Sequence, residues 1–170
     1  LITKQPGVVR FLEPGAYRMM YGVARMSKNG TGISGDNYTY SGSLPGQVIM
    51  SLSDGMGSGA AADQESRKVI ELLQQLLETG FSARSALKMV NTILMLTGTE
   101  QHPATLDLCC VDLCSGVLEA MKMGAVATFV LSNGQAEILD AGNLPAGVLS
   151  QAEPALLSRK LWDNDQIIMI

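Results

Sequence analysis

The chain has 170 residues, 46% of them hydrophobic and 16% charged, with a net charge of -4. That length suits one domain with a real core, and the acidic balance argues against a nucleic-acid partner, whose binding surface would carry a basic stripe. No apolar run reaches the roughly 20 residues that a membrane-crossing helix needs.

The N-terminus, Leu1-Ile2-Thr3-Lys4, carries neither an initiator Met nor a signal-peptide pattern. Residues 1–15 contain Pro6, Gly7, Pro14 and Gly15 and read as a linker. Ala16 to Arg25 reads as a first strand, with Tyr17, Met19, Tyr21 and Val23 in phase. A turn-rich stretch, Lys28-Asn29-Gly30-Thr31-Gly32, follows. Residues 33–41 and 48–53 then read as two strands joined by a turn over 42–46 that contains Pro45.

After Asp54 the pattern changes. Gly55-Met56-Gly57-Ser58-Gly59 opens a helix running to about Thr79, with Val69, Ile70, Leu73, Leu76 and Leu77 at helical spacing and Gly80 as its stop. Ser82 caps a second helix with Leu87, Val90, Ile93 and Leu94 on one face. His102, the only histidine, precedes Pro103 in a loop and reads as a surface residue.

From Thr105 the chain returns to strands. Leu106 to Val111 and Val117 to Met123 flank a turn at Cys114 to Gly116. Cys109, Cys110 and Cys114 lie in this apolar stretch; an odd set without spaced pairs reads as buried strand thiols in a reducing compartment. Val126 to Leu131 and Ala136 to Leu139 flank Asn133-Gly134, a pair that favours a tight primed turn. Two further strands are read at Leu156 to Leu161 and Gln166 to Ile170. The chain stops inside the apolar run Ile167-Ile168-Met169-Ile170, so we expect a fragment of something longer, missing its C-terminal part. Strands, two helices, then strands suggest an α+β domain with antiparallel sheets and the helix pair packed on one face.

Asp36 and Asp54 stand nine positions either side of Pro45. In that hairpin register the two carboxylates face each other, with Cβ atoms roughly 4.5–5.5 Å apart. Like charges that close need a shared proton or a cation. Hard divalent ions take oxygen ligands, and a metal pair roughly 3.5–4 Å apart would fit between such carboxylates. The alternative is two exposed aspartates bonded to their own turns, since Gly35-Asp36-Asn37 and Ser53-Asp54-Gly55 also carry turn chemistry. The flanking glycines lean toward a ligand, because backbone without Cβ allows close approach. A helix opened by a glycine-rich loop could instead cradle a nucleotide phosphate. That would require strand-helix-strand order, and a second helix follows here.

Lys28-Asn29-Gly30-Thr31, Ser34-Gly35-Asp36-Asn37 and Ser53-Asp54-Gly55-Met56-Gly57-Ser58-Gly59 resemble the metal-dependent serine/threonine phosphatases of the 2C type (PPM type). Among these, the resemblance is to the phosphatase domain of the stage II sporulation protein E family. Thr105-Leu106-Asp107-Leu108, Lys122-Met123-Gly124 and Asn143-Leu144-Pro145-Ala146-Gly147 extend it, so that it covers residues 16–170. It implies an antiparallel β-sandwich flanked by helix pairs. It implies two manganese or magnesium ions held by Asp36, Asp54 and the Gly55 backbone carbonyl, with further ligands from aspartates beyond Ile170. Catalysis would run through metal-bound water, with no protein nucleophile, and Lys28 would hold the substrate phosphate as a point charge.

The substrate implied is a phosphorylated anti-anti-sigma factor, whose dephosphorylation leads to sigma-factor activation in sporulation. Full-length members carry N-terminal membrane spans, so the chain is expected to be a cytoplasmic domain of a membrane-anchored protein. The helix pair after Gly55 is implicated in switching activity in the family. A homodimer stays open, as does a phosphatase-like binding module that has lost catalysis.

Overall fold

The structure, a computed structural model, describes residues 4–5, 8–9, 15–26, 33–42, 46–57, 59–97 and 103–170. Lys28 and its turn-rich neighbours, Pro45, Ser58 and His102 lie outside the described residues. Strand β1 (Lys4–Gln5) pairs antiparallel with β2 (Val8–Val9), so the stretch read as linker contains a small ladder.

Five strands form the main antiparallel sheet in the order β3-β4-β5-β6-β9. They are β3 (Asp36–Ser41), β4 (Gln47–Asp54), β5 (Leu106–Asp112), β6 (Val117–Met123) and β9 (Ala155–Lys160). A second sheet has the order β10-β7-β8, built from β7 (Thr128–Ser132), β8 (Gln135–Leu139) and β10 (Gln166–Met169). Helices α1 (Ala60–Glu78) and α2 (Ala83–Thr97) complete the described elements.

Period-two alternation on the central strands decides what each face covers. Ile49, Leu106, Leu108, Cys110, Met121 and Met123 point to one side and pack on Val69, Leu73, Leu77, Leu87 and Val90 of the helices. Cys109, Val111, Leu118 and Ala120 point to the other and pack on Val130 and Leu139 of the second sheet, together with Leu161. The result is a sandwich with a helix pair on its outer face. Leu73 and Leu87 are fully buried in the helix layer, each side chain contributing about 1.5–3 kcal/mol relative to exposure.

Local signals carry the turns. Asn133 and Gly134 both take positive φ, 50° and 76°, as a primed hairpin turn requires. Gly80 at φ 95° ends α1, with Phe81 N–H donating to Leu76 O and Gly80 N–H to Leu77 O, a Schellman pair. Ser82 caps α2 through its hydroxyl, which accepts from Ser85 N–H at 3.3 Å.

Three expectations are corrected. Ala16 to Arg25 joins no strand. Tyr17 N–H donates to Leu113 O at 2.9 Å and Tyr21 stacks on Tyr40, so side-chain packing rather than a ladder holds the segment. Cys109 and Cys110 are buried, but Cys114 is exposed in the turn after β5. Burial pushes both inner thiols up, Cys110 to about 12, which leaves them protonated and inert. The nucleotide-binding alternative falls with the sheet, whose named strands all pair antiparallel.

Candidate metal centre

The hairpin register is the one expected. Asp36 pairs directly with Asp54, and every step from Asn37↔Ser53 to Ser41↔Ile49 follows. The two carboxylates lie at the open end of β3 and β4, on the face turned toward the second sheet. Ser34 Oγ donates to Asp36 Oδ2 at 2.7 Å. Partial burial, then the facing Asp36 through its charge and a side-chain hydrogen bond, push the Asp54 carboxyl above its ordinary value. The ion pairs of the described residues include none to either carboxylate.

Helix α1 holds this end of the hairpin. Gly55 N–H donates to Gly35 O at 3.2 Å, and Ser66 Oγ donates to the same carbonyl at 2.5 Å. Asn37 Nδ2 reaches Ser66 Oγ at 2.8 Å and Asp63 O at 3.0 Å. Asp63, in the first turn of α1, also takes Arg25 at 2.8 Å and Arg67 at 3.1 Å; the Arg25 hydrogen bond leads in holding its carboxyl down, to about 2.

Both flanking glycines face Ala62 of α1. A Cβ on Gly55 would lie 2.2 Å from the Ala62 carbonyl oxygen, so this glycine is demanded by the approach of α1 rather than by a ligand. A Cβ on Gly35 would sit 3.2 Å from Ala62 Cβ, and 3.5 Å from both Asp54 Oδ1 and the Gly55 carbonyl oxygen. Those two oxygens therefore border one small space, which Gly35 keeps open. Facing carboxylates, a backbone carbonyl beside them and no counter-ion among the described residues make a donor set that suits a hard divalent cation.

Sequence reasoning quoted one group only for its resemblance and gave it no role. Asp107 and Lys122 are directly opposed on β5 and β6. Lys122, fully buried, donates to Asp107 Oδ2 at 2.6 Å, Thr128 Oγ1 at 2.8 Å and Val126 O at 2.8 Å. The signal was available: two charged residues interrupt apolar strands at equal distances either side of the Cys114-Ser115 turn. Thr105, also given no role, fixes Asp54 from the next strand, its hydroxyl accepting from Asp54 N–H at 2.9 Å.

The comparisons agree with this architecture. The family model for stage II sporulation protein E matches residues 45–170. The chain is 34% identical over 162 residues to stage II sporulation protein E of Bacillus subtilis (strain 168), covering 95% of this chain and 20% of the relative. It thus spans about a fifth of that curated relative's length. A solved structure of the PP2C phosphatase domain and part of the regulatory domain of SpoIIE from Bacillus subtilis superposes with a TM-score of 0.84 at 34% identity, covering 92% of this chain and 46% of that one. RsbX, solved in complex with magnesium, shares the fold at 16% identity and a TM-score of 0.69, over 85% of this chain and 69% of that one.

Proposed function

The chain belongs to the stage II sporulation protein E family, and from that premise we propose that it supplies half of the metal site of a protein serine/threonine phosphatase of the 2C type. The observation that carries the proposal is the direct pairing of Asp36 with Asp54 at the open end of the β3–β4 hairpin. Asp36, Asp54 and the Gly55 carbonyl would hold manganese or magnesium, the Gly55 carbonyl being kept in place by α1. Bound divalent ions supply activated water and neutralise phosphoryl charge. Ser34 holds the Asp36 carboxylate and Thr105 fixes the Asp54 backbone. Lys28, outside the described residues, would hold the substrate phosphate.

The proposed substrate is a phosphorylated anti-anti-sigma factor in a pathway that controls a sigma factor. It follows from the family, whose named members include a sporulation cell-fate determinant. We place the domain on the cytoplasmic side of a membrane-anchored protein. Among the described residues, no helix is long and apolar enough to cross a membrane. The test uses the full-length protein with manganese and a phosphorylated substrate protein. Asp54→Asn is expected to abolish phosphate release, a loss of at least 100-fold on the scale of removing a metal's charge stabilisation. Retained release by the variant would overturn the assignment.

A further inference from the structure

Asp107 is 1% exposed, yet only half of its carboxylate is used. Oδ2 accepts from Lys122 Nζ and from Thr128 Oγ1, each at 2.6 Å. Oδ1 is buried and has no hydrogen-bond partner. Lys122 cannot supply one, because its three N–H groups already go to Asp107 Oδ2, Thr128 Oγ1 and Val126 O. A buried, unpaired carboxylate oxygen is costly, and such atoms call for an explanation.

The position of Asp107 supplies one. It pairs in register with Leu52, two residues before Asp54 on the neighbouring strand. Residues two apart on a strand share a face, so Asp107 is the diagonal neighbour of Asp54, roughly 7–8 Å away. Asp36, Asp54, Thr105, Asp107 and Val126 together line one small cavity of about 60 Å³. One water needs roughly 10–15 Å³ of such space. Among the described residues, no three acidic, histidine or cysteine side chains converge closely enough to ligate one ion directly. Asp107 is therefore in the same cavity as the facing pair but set back from it.

We propose that Asp107 is a positioning residue for the cation site, its Oδ1 accepting a hydrogen bond from a water carried by an ion at Asp36 and Asp54. This rests on the cation reading of that pair. Lys122 and Thr128 lock Oδ2, which leaves Oδ1 as the unused acceptor, and a locked acceptor orients the water of a hydrated ion without loss of its own rotamer freedom. Outer groups of this kind commonly change metal affinity by about 10–100-fold when removed. The network also explains why a charged pair persists in a strand that is buried on both faces, where apolar residues of similar volume would pack as well.

The test is calorimetric titration of manganese alone into the full-length protein and its variants, with melting temperature measured beside it. Asp107→Leu alone would strand Lys122, so the informative variant is the triple Asp107→Leu, Lys122→Met, Thr128→Val, which replaces the whole buried set by apolar groups. It is expected to fold with a melting temperature close to that of the parent and to bind manganese about 10–100-fold more weakly. Wild-type affinity in the folded triple variant would overturn the proposal while leaving the Asp36–Asp54 reading intact. Failure of the parent protein itself to bind manganese would overturn both. If the triple variant does not fold, Thr128→Val serves instead. That variant removes one of the two locks on Oδ2 while the Lys122–Asp107 pair stays in place, and unchanged manganese affinity in it likewise overturns the proposal.

Discussion

Two sets of carboxylates occupy the same face of the same sheet, and their settings are opposite. Asp107 is buried with a lysine directly across the ladder, and Lys122 spends every donor on that site. Asp36 and Asp54 also sit directly across a ladder, but from each other, at the open end of the hairpin. The first pair is neutralised from within the chain, although Asp107 Oδ1 stays without a hydrogen-bond partner. The second is assembled so that its relief must come from a proton or a cation. A sheet pays for facing like charges in stability, so the contrast separates a carboxylate neutralised by the chain's own lysine from carboxylates that face only each other.

The sharpest way to break this contrast is to remove the internal cation. Lys122→Met leaves Asp107 buried and uncompensated, and should cost about 3–5 kcal/mol in urea denaturation. A loss below about 1 kcal/mol would mean that the pair is not closed as the 2.6 Å contact indicates. Gly55→Ala tests the support of the open pair. Its Cβ would meet the Ala62 carbonyl at 2.2 Å, so α1 must shift. The expected cost is about 1–3 kcal/mol by thermal unfolding, together with weaker manganese binding at the adjacent Asp54.

The smallest effect should come from the open pair itself. The folded Asp54 carboxyl lies above its ordinary value, so the metal-free native state holds this proton more tightly than the unfolded chain does. Stability then falls as pH rises from the ordinary carboxylate value through the raised one. Asp54→Asn removes that decline and should stabilise the metal-free protein at pH 7 by about 0.2–1 kcal/mol. A variant less stable than the parent at pH 7, with the same pH slope, would show that the facing charges do not strain the hairpin.

Much of this was legible in the residues. The Asp36–Asp54 register followed from distances to Pro45, because a short hairpin leaves few alternative pairings and a one-residue slip would turn the apolar set outward. Helix α1, its Gly80 stop, the Ser82 cap and the Asn133-Gly134 turn followed from local stereochemistry, which needs no partner from elsewhere in the chain. Ala16 to Arg25 failed for the complementary reason. Its alternation is that of a strand, but Tyr17 and Tyr21 are engaged by Leu113 and Tyr40, and no strand lies alongside.

By itself, the sequence determined the hairpins, the helix pair and the facing aspartates, since each depends on neighbours less than about twenty positions away. Only the tertiary structure decided why Gly55 must be glycine, because Ala62 reaches it through the packing of α1 on the sheet. The same holds for the cavity that Asp107 shares with Asp36 and Asp54. It depends on β4 lying beside β5 across the 51 residues from Asp54 to Thr105 that contain both helices, a pairing chosen by burial of both sheet faces and not by local preference.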